Sequence, residues 1–113
     1  MADSTLPAAQ ALDLRSLITP TAHGIASRIL AKRSGENVTL FAFDAGQGLT
    51  EHTPPFDAFV IVLEGIFALT IATAVEARPG QIVRLPASVP HAVEAREASR
   101  MLLVMLRDVG AMV

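Results

Sequence analysis

The residues of this sequence best suited to chemistry are its three histidines, His23, His52 and His91, and the carboxylates beside two of them. Imidazole changes charge near neutral pH and is a common metal ligand, so each histidine could serve as a base, a hydrogen-bonding anchor or a ligand. His52 lies in "GLTEHTPPFDAFVIVLEG", with Glu51 before it, Pro54-Pro55 after it and Asp57 close by. His91 follows Pro90 and has Glu94 three residues on. His23, between Ala22 and Gly24, reads as a strand start or surface position. With no cysteine, thiolate catalysis, disulfides and sulfur-based metal sites are excluded. With no tyrosine, a histidine–tyrosine acid–base pair is unavailable, although His52 as base and His91 as acid would be formally competent. Arg84, in "IVRLP", is placed to clamp an anion or to form a salt bridge at a rim.

These side chains need strands to position them. From residue 21 onward the signals are β: period-two alternation in "NVTLFAFDA", apolar runs "AFVIVLE" and "IFALTIATAV" split by Gly65, and short strands "IVRLP", "HAVEA" and "RMLLVMLR". Val38, Leu40 and Ala42 share one face of their strand, and Thr39, Phe41 and Phe43 the other. Met101, Leu103 and Met105 share a face of the last strand, so the two methionines are expected in the interior or as a soft pocket lining. Phe56, Phe59 and Phe67 could line a pocket but are read as core in preference. Short strands with glycine and proline punctuation and little helix point to an all-β, antiparallel sandwich or barrel. Residues 1–20 form a short N-terminal arm with Leu12, Leu14, Leu17 and Ile18, stopped by Pro20, and residues 21–113 form the single domain.

Composition narrows the function classes. The chain is 51% hydrophobic and only 18% charged, which favours a surface hidden in an oligomer and hence a homodimer. A net charge of −2, scattered basic residues and no tryptophan or tyrosine argue against nucleic acid. No apolar stretch reaches the roughly 20 residues of a membrane-spanning helix. The first residues lack the basic and apolar regions of a secretory signal, so a cytoplasmic location is expected.

Two glycine-led segments carry the histidines at related spacings. In the first, Gly46 precedes His52 by six positions, followed by Pro54, Ala58 and Gly65; in the second, Gly80 precedes Pro86, Ser88, His91 and Ala95. This pattern resembles the cupin superfamily, whose motifs run G-x5-H-x-H-x3-E-x6-G and G-x5-P-x-G-x2-H-x3-N. The resemblance covers residues 35–107 and implies a jelly-roll barrel of about six to eight strands, usually dimeric. It further implies a divalent metal (Zn, Fe, Mn or Ni) held by the two histidines and glutamate of the first motif and the histidine of the second. Here only His52 and His91 stand at those positions. Pro54 replaces the second histidine, Ala58 the glutamate, Ser88 a glycine and Ala95 an asparagine.

The departures bear directly on chemistry. A catalytic metal site generally keeps three protein ligands, and a non-haem iron oxygenase site two histidines and a carboxylate. Glu51, Asp57 and Glu94 are near in sequence, yet on an unbroken strand 51 and 57 point away from 52 and 58, and 94 away from 91. Pro54-Pro55 could interrupt that alternation. The expected function is therefore binding of a small molecule in a barrel pocket centred on His52 and His91, with Met101 and Met105 in its wall and a divalent metal as a candidate bridge. The alternatives are a metal-dependent dioxygenase or isomerase with a reduced ligand set, and a structural dimer with relict histidines.

Overall fold

In the computed structural model, which describes residues 6–107, nine strands form two antiparallel sheets. The strands are β1 (Ile25–Arg33), β2 (Glu36–Phe43), β3 (Gly48–His52), β4 (Asp57–Glu64), β5 (Phe67–Ile71), β6 (Thr73–Ala77), β7 (Ile82–Leu85), β8 (His91–Ala95) and β9 (Ser99–Leu106). One sheet runs β1-β2-β9-β4-β7 and the other β3-β8-β5-β6, the jelly-roll arrangement anticipated above. No helix among the described residues is long and apolar enough to cross a membrane.

The period-two faces of β2 explain how the layers join. Phe43 is buried between the sheets with Phe67, Leu69, Val60, Val62 and Met101, and Phe41 packs against the same cluster. Each of these side chains contributes about 1.5–3 kcal/mol by leaving water. Phe43 and Phe67 meet edge to face, with centroids 5.1 Å apart and planes at 82°, the geometry favoured by the aromatic quadrupole. The opposite face of β2 carries Leu40 and Ala42 into a second cluster with Leu30 and Ile18. Val38 and Leu102 pack on that cluster as well.

Ile18 belongs to the arm, whose apolar residues thus cover the outside of the five-stranded sheet of their own chain. A 3-10 turn, Leu14–Leu17, is capped by the Asp13 carboxylate, which accepts from the Arg15 amide at 3.2 Å. Leu14 and Leu17 add to the second cluster. Two arginines hold the end of the turn: Arg28 donates to the Leu17 carbonyl at 3.3 Å and Arg100 Nε to the Ile18 carbonyl at 3.1 Å. The Arg100 guanidinium also pairs with Glu64. A leucine-rich arm folds back here because its apolar side and the β1–β2 outer face bury each other.

Two details differ from the sequence expectation. The run "IFALTIATAV" reverses at Ala72, a non-glycine with φ of +66°, so that Ile71 pairs with Thr73. Only its first half is well buried: Thr73, Ala74 and Glu76 of β6 are exposed. The second is β3, which its composition hides. It opens on a glycine and is mostly exposed, so it shows no alternation, as befits an edge strand. It ends on His52.

Candidate functional site

β3 and β8 place the two histidines opposite each other. His52, the last residue of β3, pairs in register with His91, the first of β8. Directly opposed residues of an antiparallel ladder bring their side chains into contact, and the imidazole centroids lie 4.5 Å apart with planes at 73°. The ladder is irregular between Leu49 and His52: Leu49 faces Val93 and His52 faces His91, three steps on one strand against two on the other. The extra residue is a bulge, and it turns both Leu49 and His52 inward although they are an odd number apart.

Beyond the pair, the proline loop 53–56 is tied to the loop before β8. The Ser88 amide donates to the Pro54 carbonyl at 2.8 Å, and the Ala87 amide to Asp57 Oδ1 at 2.8 Å. Ser88 holds φ of +63°, the left-handed conformation for which glycine is the easy choice.

A cavity of about 90 Å3 opens beside the histidines. Its wall includes His52, His91, Met101 and Met105, so all four site residues expected from sequence come together. Pro54 and Ala58 lie in the same wall. Leu49, Leu85 and Leu103 complete it with Phe56, which sequence reasoning had assigned to the core. Phe67 is indeed core. Leu49 was hidden by the bulge. A larger depression of about 330 Å3 crosses the outside of the four-stranded sheet, but it is wide open and holds neither histidine.

The two imidazoles differ in environment. His52 is exposed, and its Nδ1 lies 3.0 Å from the Thr50 carbonyl. A carbonyl only accepts, so this contact puts the hydrogen on Nδ1 and leaves the Nε2 lone pair available. His91 is 3% exposed, and its Nδ1 is buried with no hydrogen-bond partner. Burial pushes its pKa below the ordinary histidine value and His52 pushes the same way, while a backbone interaction with Val89 opposes both. The neutral imidazole is therefore favoured in the fold.

A consequence for stability follows from the sign of that shift. Below the unfolded-state value of 6.5, the unfolded chain takes up a proton that folded His91 resists, so stability falls as pH drops through this range and is unaffected above it. The loss is at most about 1.4 kcal/mol per pH unit, the limit for one proton. Urea midpoints at pH 7.5 and pH 5.5 should separate more for the wild type than for His91→Gln. Equal separations would show that His91 does not resist protonation. Asp44 and Asp57 do not interfere, because both carboxylates are held below the ordinary value of 3.8.

Asp57 was a candidate third ligand, but its carboxylate is engaged elsewhere. It accepts from the Ala87 amide, the main cause of its lowered pKa, and pairs with Arg84 at 3.4 Å. Arg84 thus forms a rim salt bridge. His23 sits in an exposed turn with φ of +58°, its amide bound to Asp44 Oδ2 at 2.7 Å.

A family model for the cupin domain matches residues 39–106. The chain is a cupin. Solved structures agree. A conserved protein of unknown function from Streptococcus pyogenes is 35% identical, with 91% of each chain covered and a TM-score of 0.86. A cupin superfamily protein from Desulfitobacterium hafniense is 27% identical over 92% of this chain and 96% of that one, with a TM-score of 0.87. A cupin 2 conserved barrel domain protein from Leptotrichia buccalis is 30% identical over 85% of this chain and 47% of its own, with a TM-score of 0.81. No curated protein matches.

The residues of this cupin do not fit the divalent ion that the family pattern implies. His52 Nε2 and one nitrogen of His91 are the donors at the cavity. The two remaining ligand positions present the carbon surfaces of Pro54 and Ala58. Among the described residues no three histidine, cysteine, aspartate or glutamate side chains gather as a metal site. Two imidazoles with no carboxylate fall short of both the three-ligand set of a catalytic zinc site and the two-histidine-one-carboxylate set of iron.

Proposed function

We propose that this cupin binds a small, mostly apolar molecule in the His52–His91 cavity and orients it by hydrogen bonds to the imidazoles, without a resident metal ion. The observation that carries this reading is an otherwise apolar cavity with two imidazoles, those of His52 and His91, in its wall. The His52 nitrogen that is turned away from the Thr50 carbonyl is left to hydrogen-bond a ligand hydroxyl. The remaining wall of leucine, methionine, phenylalanine, proline and alanine suits carbon. Apolar walls with a few convergent polar groups are the usual form of a small-molecule site. The volume of about 90 Å3 is about three times the share of one liquid water. It therefore suits a ligand portion of a few heavy atoms.

NMR titration with 2-butanol tests the reading. The methyl resonances of Met101 and Met105 and the ring resonances of His91 are expected to shift together and saturably. In Ala58→Leu, whose side chain grows into the cavity, those shifts should disappear. Leu103→Phe provides the same block from β9. Unmoved methyl resonances in the wild type would overturn the proposal. So would one bound divalent ion per chain that is lost in His52→Ala, which would instead favour a metal-dependent dioxygenase or isomerase.

A further inference from the structure

We propose that the outer side of the five-stranded sheet, where β9, β4 and β7 leave an apolar face uncovered, is the contact surface between two copies of this chain. Strand register sets out the face. One row, from β2 through β9 and β4 to β7, reads Val38, Val104, Phe59 and Arg84, and the next reads Leu40, Leu102, Ile61 and Ile82. Alternation turns these side chains away from the barrel, because their strand neighbours Ala58, Val60, Met101 and Leu103 point into the core or the cavity. The arm covers only the β2 end of both rows: Leu40, Val38 and Leu102 pack with Leu14, Leu17 and Ile18. Val104, Phe59, Ile61 and Ile82 belong to neither core cluster. Phe59, assigned to the core on sequence, is thus a residue of this outer face. Ile82 is 61% exposed and sits on an edge strand, where an uncovered apolar side chain invites association.

Charge is arranged so that the face complements itself. Its middle is carbon, with Phe59 beside Val104 and Ile61 between Leu102 and Ile82. Arg84 with Asp57 at 3.4 Å closes one end, and Arg100 with Glu64 the other. A nucleic acid, an acidic peptide or an anionic membrane would need free cations here, and both arginines of the face are already paired. A second copy related by a twofold axis sets carbon against carbon in the middle and both signs against both signs at the rim. Charge depleted from the centre of a contact is characteristic of homodimers. The chain as a whole, 51% hydrophobic and 18% charged, fits a surface of this kind.

The uncovered strands, eight residues each in β9 and β4 and four in β7, project roughly 300 Å2 at ordinary sheet spacing. An apolar patch of that size on a monomer is often functional. The arm lies against the same side of the sheet. A partner reaching over both extends the contact toward the roughly 800 Å2 that each subunit of a stable dimer buries. From their inner sides β4 and β9 supply Ala58, Met101, Leu103 and Met105 to the cavity, so a docked second copy backs the cavity wall. The inference does not depend on what that cavity binds.

Sedimentation equilibrium of the full chain tests it. At micromolar concentration the wild type should have twice the mass of one chain. The double variant Ile61→Lys, Ile82→Lys puts two ammonium groups into the face and should weaken association at least about 100-fold. Ile82→Lys alone changes a position that is already mostly exposed. It should weaken association in the same direction, and it keeps the test decisive if the double variant does not fold. Leu6→Lys is the control: Leu6 is also exposed, but its amide donates to Leu30 of β1, at the far edge of the sheet, so this variant should remain a dimer. A wild type that stays monomeric up to millimolar concentration overturns the inference. If that monomer binds phosphatidylcholine vesicles and Ile82→Lys does not, the face belongs to a lipid surface instead. A dimer left intact by the folded lysine variants, or dissociated equally by Leu6→Lys, places the contact elsewhere and overturns the inference as well.

Discussion

Gly65→Ala is expected to destabilise the protein by about 3 kcal/mol or more, the sum of a left-handed backbone penalty and an overpacked core. Gly65 links β4 to β5 with φ of +81°. A β-carbon there would lie 2.0 Å from Ser99 Oγ, 2.6 Å from Ser99 Cβ and 2.7 Å from the Ala98 carbonyl. Removing the serine hydroxyl does not solve the problem, because the Cβ and the carbonyl remain. Nor is Ser99 free to move: it is fully buried, its hydroxyl accepts from the Ile66 amide at 3.1 Å, and it donates to the Glu97 carbonyl at 2.7 Å. Gly46→Ala is the matched control. It has the same φ of +81° but no atom within 4 Å of the added carbon, so only the backbone penalty of about 1–2 kcal/mol applies. Urea midpoints for the two variants decide the matter. If Gly65→Ala unfolds no earlier than Gly46→Ala, close packing against Ser99 is not what this glycine serves.

The same pair of glycines shows where the sequence was informative. Their spacing from His52, taken jointly with the segment from Gly80 to His91, aligned the two motifs and so anticipated an antiparallel jelly roll. Period-two patterning was reliable where strands lie inside the sandwich: both faces of β2 went where alternation put them, and Met101, Leu103 and Met105 share the interior side of β9. Alternation failed at β3, where an exposed edge strand needs no apolar face and a bulge changes the parity. That one irregularity concealed the strand and Leu49, and it undermines any argument about which carboxylate faces the histidines. Phe56 was misassigned for a related reason: a phenylalanine in a cavity wall and one in a core have the same local sequence signature. Asp57 was ambiguous until its partners were seen, because nothing in a linear sequence indicates that a backbone amide thirty residues away will claim the carboxylate.

The double variant Pro54→His, Ala58→Glu should bind one divalent ion per chain at least about 100-fold more tightly than the wild type, since it raises the donor set from two to four. Both positions already line the cavity beside His52 and His91. The Thr50 carbonyl already turns His52 so that Nε2 is available, the type of outer contact that orients metal-bound histidines. The loop tolerates the change at 54, because what it contributes to the fold is its carbonyl, which accepts from Ser88. The cost falls on residue 58. Ala58 is 4% exposed, and a glutamate there without an ion buries an unpaired charge, destabilising by about 3 kcal/mol. Ala58→Glu alone should therefore lower the melting temperature and gain little from Zn, Mn or Ni, whereas the double variant should recover stability when an ion is added. Titration calorimetry and melting curves with and without each ion provide the readout. A folded double variant that binds no better than wild type would mean that the barrel mouth, and not only two side chains, has moved away from the metal-binding geometry. Recovery would localise the difference between a metal cupin and this one to Pro54 and Ala58, whose carbon surfaces turn a charged coordination sphere into an apolar cavity holding two imidazoles.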